Sequence, residues 1–169
     1  LRLISFFPKA VGVFTFLLGC LVLFGWQFDI TFLKSVIPNF IVIMPNTAVG
    51  FILCGASLWF LTRASAGFGK LFGQILAIGA TLLGLLTLGE FIFNRDIGID
   101  RLLFNEKLIA NLPNLSGRMA QQTALNFVLL GISLLLLKVN IRRDFYPAQW
   151  LSIVVFFNSL ISVLGYGYN

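Results

Sequence analysis

Residues 71–93 read LFGQILAIGATLLGLLTLGEFIF, and this stretch decides the fold. An α-helix rises about 1.5 Å per residue, so roughly 20 apolar residues cover the hydrocarbon core of a bilayer. Within this run the one ionisable side chain is Glu90, close to its end. Working outward, four more apolar runs occupy residues 10–26, 47–61, 123–137 and 150–166. The first has charged residues before it, as a signal peptide would, but it closes on Phe24-Gly25-Trp26 without a small-residue cleavage site and is read as a span. The second is short; residues 40–44 before Pro45 lengthen it as a kinked entry. The expected fold is all-α: a polytopic integral membrane bundle of five transmembrane helices, forming a single membrane domain over residues 1–169.

The composition agrees. Of 169 residues, 59% are apolar and 11% charged, where a soluble domain carries about a quarter charged. Mean hydropathy is +0.97. Histidine is absent, which removes the commonest metal ligand and general base, and two cysteines do not by themselves close a zinc site. No cofactor, metal or catalytic set is expected. A nucleotide loop, an HExxH motif and a serine-based triad are all missing.

The net charge of +6 would suggest nucleic acid in a soluble protein, but here it sorts by side. Arg2, Lys9, Arg63, Lys70, Lys138, Arg142 and Arg143, with Asp144 as the one acid, fall in segments on one side of the predicted membrane. The opposite segments carry Asp29, Lys34, Glu90, Arg95, Asp96, Asp100, Arg101, Glu106, Lys107 and Arg118, which balance to zero. Because cytoplasmic loops are enriched in Lys and Arg, the N-terminus is placed in the cytoplasm and Asn169 on the outer side. No nucleic-acid partner is expected; the bilayer is.

The second and fourth spans repeat. TAVGFILCGASL, residues 47–58, lies over TALNFVLLGISL, residues 123–134, at an offset of 76 residues, with seven of twelve positions identical. Thr, Gly and Ser recurring in register, each copy with a Met upstream (Met44, Met119), carry more weight than the apolar matches. The odd-numbered spans end alike on Phe24-Gly25-Trp26, Leu88-Gly89-Glu90 and Leu164-Gly165-Tyr166. The repeating unit is therefore a helix pair, an outward helix and a returning one opened by a capping Thr or Asn. Units cover about 8–63 and 70–138, with a half unit at 146–169, which leads to the expectation of a sixth helix in the full protein.

The segment Gly98-Ile99-Asp100-Arg101-Leu102-Leu103-Phe104, followed by Gly117-Arg118-Met119-Ala120-Gln121-Gln122-Thr123-Ala124-Leu125-Asn126-Phe127 and a Leu-rich run, resembles the N-terminal multi-spanning membrane sensory region of bacterial signalling proteins. In that family the region precedes PAS, histidine kinase or diguanylate cyclase domains. The resemblance extends over nearly the whole chain, with Met44-Pro45-Asn46-Thr47-Ala48 as a first copy of the motif. It implies location in the bacterial inner membrane and a downstream cytoplasmic domain, and it brings no catalytic residue to this chain. Met-Ala-Gln-Gln-Thr at 119–123 departs from the family's Pro-Asn pair, which loosens the expected cap.

Several residues are candidates for more than packing. Residues 100–112 read as an amphipathic helix with Asp100 as N-cap; one reading makes it a packing element, the other a lid in which Asp100, Arg101, Leu103 and Phe104, with residues 30–38, cover a cavity between the helices. Pro113 and Gly117 would let that lid move. Glu90, at the edge of a span, is either a functional acid or one that snorkels or pairs with Arg95 or Arg101. Gln74, Asn126 and Asn158 are intramembrane amides that need partners, most simply across helices. Gly73, Ala77, Ala80 and Gly84 fall on one face of the third span, and Gly50, Cys54 and Ser57 on one face of the second. These are packing seams within the chain or across a dimer. Cys20 and Cys54 sit mid-span as small apolar groups.

Two function classes compete. The first is a sensory and anchoring module, acting as a homodimer or in a larger membrane complex, that passes a stimulus to a cytoplasmic kinase or cyclase by helix rearrangement. The second is a structural subunit of a larger complex that binds pigments or lipids, for which the 19 Phe residues supply apolar surface. A transporter ranks below both, because no span carries a charge near its centre.

Overall fold

The long apolar runs become long helices. The computed structural model describes residues 2–35, 42–64, 66–95, 98, 103–111, 117–139 and 146–167, and its regular elements are seven α-helices. They are α1 (Arg2–Phe28), α2 (Thr31–Lys34), α3 (Pro45–Arg63), α4 (Phe68–Ile92), α5 (Asn105–Asn111), α6 (Gln121–Leu135) and α7 (Pro147–Gly167). Four of these, α1, α3, α4 and α7, are long and apolar enough to cross a membrane. The expected fifth, α6, has 15 residues, about 22 Å of helix at 1.5 Å per residue, and falls short of that length. Its flanks, residues 117–120 and 136–138, are not helical, but both are anchored. Arg118 before α6 meets Glu90 near the end of α4, and Lys138 after it donates from Nζ to the Ala64 carbonyl beyond the end of α3, at 2.8 Å. Residues 118–138 thus run from one end of the bundle to the other.

The surface is apolar, and much of the interior is small or polar, with Trp26, Met119, Phe127 and Leu61 as large buried apolar residues among them. Phe14, Ile75, Phe156, Phe157, Ile161 and Val163 are exposed, while Ala77, Ala80, Ser57, Thr87 and Glu90 have no exposure. Where lipid covers the outside, burying Leu or Phe brings no gain, so small residues that let backbones approach take the interfaces. This is a membrane protein by the length and composition of its helices.

The helices pack in sequence: α1 on α3, α3 on α4, α4 on α6 and α6 on α7, with α3 also reaching α6. The tightest crossings use glycine. A Cβ on Gly19 of α1 would stand 2.6 Å from the Ala48 carbonyl of α3, and one on Gly84 of α4 would stand 2.6 Å from the Ala124 carbonyl of α6. Ala48 and Ala124 occupy the same place in the 76-residue alignment. Ser57 and Ser133, which also align at this offset, make similar contacts. Ser57 Oγ of α3 donates to the Gly73 carbonyl of α4 at 2.8 Å, and Ser133 Oγ of α6 donates to the Ala148 carbonyl of α7 at 2.9 Å.

The ends of α1 and α4 share one geometry. Asp29 and Asn94 adopt left-handed φ values of 60° and 47°. The following N–H turns back in each case, Ile30 to the Gly25 carbonyl at 2.9 Å and Arg95 to the Glu90 carbonyl at 3.3 Å, which is a Schellman stop. The starts of α3 and α6 differ from expectation: their N-caps are Met44 and Ala120, neither with a side-chain cap. At α3 the reason is Pro45, whose fixed φ and missing N–H suit the first helical turn. Residues 42–44 form no helix; Ile43 N–H pairs with the Lys34 carbonyl at 2.8 Å instead.

Candidate functional site

The end of the bundle that carries α2 and α5 gathers most of the polar chemistry. Its centre is Trp26, in the last turn of α1 and without exposure. The Trp26 indole N–H donates to the Ile43 carbonyl at 2.9 Å, so the one polar atom of a buried indole is satisfied. Lys34, itself 4% exposed, places its ammonium 4.7 Å from the indole centroid and pairs with Asp29. On the same ring system Phe104 stacks at 6.4 Å. Val22, Ala48 and Leu108 complete this cluster.

Lys107 of α5 ties this cap to α1. Its Nζ donates to the Trp26 carbonyl at 3.0 Å and to the Gln27 carbonyl. The last carbonyls of a helix lack intrahelical donors and carry partial negative charge, so an ammonium there satisfies both needs. Phe104, just before α5, has φ +58°, a conformation bulky side chains rarely adopt. A right-handed helix cannot run through it. For that reason the helix expected over 100–112 is observed only from Asn105, with half-buried Leu103 and Phe104 in a preceding turn. Asp100, Arg101 and Pro113 lie outside the described residues.

Beside this cap is an ion pair. Glu90 has no exposure, so it does not snorkel, and Arg118 Nε lies 3.4 Å from its Oε2; Arg101, the other expected partner, lies outside the described residues. Arg95 contributes its carbonyl, which accepts from Arg118 Nη2 at 3.1 Å. The guanidinium also lies 5.8 Å from the Phe91 ring. One turn back on α4, Thr87 Oγ1 is buried with no hydrogen-bond partner among the described residues. A buried carboxylate with an arginine in reach clamps the residues before α6 onto α4.

A third polar group runs along the α6–α7 seam. Asn158 Nδ2 donates to Asn126 Oδ1 at 2.7 Å, and Asn126 Nδ2 donates to Ser159 Oγ at 3.0 Å. Toward the α5 end Ser162 Oγ donates to Gln122 Oε1 at 2.7 Å. Toward the other end Ser133 and Ser152 hydroxyls stand 3.1 Å apart. The seam holds α7 by hydrogen bonds where the α1–α3 and α4–α6 crossings use glycine contact.

The remaining candidates have packing surroundings. Gly73 faces Leu61 and Phe60, and Gly50 lies against the Phe127 ring; Ala77 and Ala80 are in the core with Cys54. Gln74 is half-buried on α4, away from the cap. Sequence reasoning missed Trp26, Lys34, Lys107, Arg118 and Thr87 as a group. Trp26 had the signal of an interfacial aromatic, and the cations were counted only as loop charges; pairing them needs the fold. No protein-family model, curated protein or solved structure matches the chain.

Proposed function

We propose that the chain is the membrane-embedded sensory and anchoring region of a bacterial signal-transduction protein in the inner membrane, N-terminus cytoplasmic. In this reading five helices cross the bilayer as repeated pairs, and the α2/α5 end faces outward. A stimulus at that end alters how the cap sits on α1 and α4, and the change reaches a cytoplasmic histidine kinase or cyclase through small shifts of packed helices. The observation that carries this reading is the attachment of α5 to the carboxyl end of α1 through Lys107 and the Phe104–Trp26 stack. The two hydrogen-bonded carbonyls, the Phe104 ring contact and the buried Leu108 form a latch, and a ligand that competes for these contacts displaces it. The matching stops of α1 and α4, and the matching Ser57–Gly73 and Ser133–Ala148 contacts, support repeated pairs.

The test is the full-length protein with Leu103 and Phe104 both replaced by Ser. At matched membrane levels its kinase or cyclase output is expected to change. Unchanged output, or a gene with no cytoplasmic output domain in frame, overturns the proposal.

A further inference from the structure

Where α1 crosses α3, two glycines leave an open groove. Gly12 and Gly55 approach so closely that a Cβ on Gly55 would stand 2.6 Å from the Gly12 carbonyl, and neither contributes a side chain. The groove has a volume of about 220 Å³ and is lined by Gly12, Val13 and Phe16 of α1 with Ala56, Trp59 and Phe60 of α3. Its lining is entirely apolar. Pockets for compact drug-sized ligands measure about 300–1,000 Å³, so this smaller open groove suits a length of flexible chain better.

The charge at the end of the groove identifies what the chain is attached to. Residues one helical turn apart share a face, so Lys9 lies one turn beyond Val13, and Arg63 one turn beyond Trp59, both toward the same end of the bundle. The Arg63 guanidinium sits 5.0 Å from the Trp59 ring centroid, which fixes the cation over a residue that lines the groove. Lys70 and Lys138 belong to this end as well, and the described acids Asp29, Glu90 and Glu106 all belong to the other. An apolar slot opening at a cationic mouth matches one class of molecule.

We propose that the α1–α3 groove is a binding site for an anionic phospholipid, with a segment of acyl chain between Phe16 and Phe60 and the headgroup phosphate at Arg63 and Lys9. Arginine on an aromatic face retains its planar donor fork for a phosphate. The second helix pair supplies an internal contrast. Aligning α1 with α4 on their common helix stop, and α3 with α6 on the repeat, sets Gly12 against Ala77, Ala56 against Ile132, Arg63 against Val139 and Lys9 against Gln74. The α4–α6 crossing therefore has larger side chains at these two floor positions and no cation at the positions that align with Lys9 and Arg63, its own cations, Lys70 and Lys138, standing at other positions.

The test is native mass spectrometry of the purified chain released from nanodiscs of mixed phosphatidylglycerol and phosphatidylcholine. The wild type is expected to retain phosphatidylglycerol over phosphatidylcholine by about fivefold or more, the factor that one basic residue near an anionic headgroup supplies. R63Q is expected to lose most of that preference. A56I, which installs the residue of the aligned position, is expected to lose retention of both lipids. K9Q changes a half-buried residue outside the crossing, so it reports on the headgroup end without disturbing packing, and it is expected to lower the preference too. Equal retention of the two lipids by the wild type, or an undiminished preference in both R63Q and K9Q, overturns the proposal. So does full retention by a folded A56I.

Discussion

Arg118 Nε stands 3.4 Å from Glu90 Oε2, and the carboxylate has no exposure while the guanidinium keeps a little. The pair joins α4 to the segment that leads into α6, so it sets where one helix enters against another. Breaking a buried pair by removing one member costs about 3–5 kcal/mol, whereas removing both charges costs much less. R118A is therefore expected to be the most destabilising change at this end. The double variant R118A/E90Q is expected to recover most of the loss. Denaturant unfolding in micelles, followed by circular dichroism, measures both.

Glycine positions differ sharply in what a methyl group would meet. At Gly84 a Cβ would stand 2.6 Å from the Ala124 backbone carbonyl, while at Gly89, five residues on and on a different face, nothing lies within 4 Å. G84A is expected to force α4 from α6 at a cost of about 1–3 kcal/mol. G89A is expected to stay within about 0.5 kcal/mol of the wild type. Melting temperatures of the two variants in one detergent separate them; equal values would mean that the crossing at Gly84 is not close.

These contrasts show which parts of the fold a sequence carries. Residues 71–93 announced α4 because an uninterrupted apolar run has a length, and length is a one-dimensional quantity. The start of α3 at Pro45 is not read correctly from sequence: the apolar run carries helix back through residues 40–44, whereas residues 42–44 are not helical and Pro45 opens the first turn. The span assigned to 123–137 had the right composition, but how far it continues as helix depends on residues 117–120 and 136–138, whose conformations follow from contacts with Glu90 and Ala64. Glu90 was visible as an unusual acid, yet its partner lies 28 positions away across a loop. Trp26 and Lys107 are 81 residues apart, and neither carries a local mark of the other.

The α6–α7 seam offers a direct measurement of how α7 is held. Asn158 Nδ2 donates to Asn126 Oδ1 at 2.7 Å, and cross-helix bonds of this kind in membranes are worth about 0.6 kcal/mol on average and up to about 1.7. A double-mutant cycle with N126L and N158L is expected to give a coupling energy in that range. A coupling of zero would place the attachment of α7 in its apolar contacts, with Val155 as the buried residue to examine next.

Lys107 is the long-range tie between α5 and α1, donating to the Trp26 carbonyl at 3.0 Å and to that of Gln27. Hydrogen bonds from a charged donor contribute about 1.5–3 kcal/mol, and each 1.4 kcal/mol is a factor of ten in an opening equilibrium. K107M keeps the apolar stem of the side chain and removes the ammonium. Amide hydrogen exchange over Asn105–Asn111 is therefore expected to accelerate by about tenfold or more, while exchange in the middle of α4 stays as it was. Trp26 emission is expected to shift as well, because the same ammonium approaches Phe104 at 5.9 Å and Phe104 stacks on the indole. Faster exchange in α5 without an emission change would mean that Phe104 holds its place independently, leaving Lys107 to anchor the helix and the ring to anchor the turn before it.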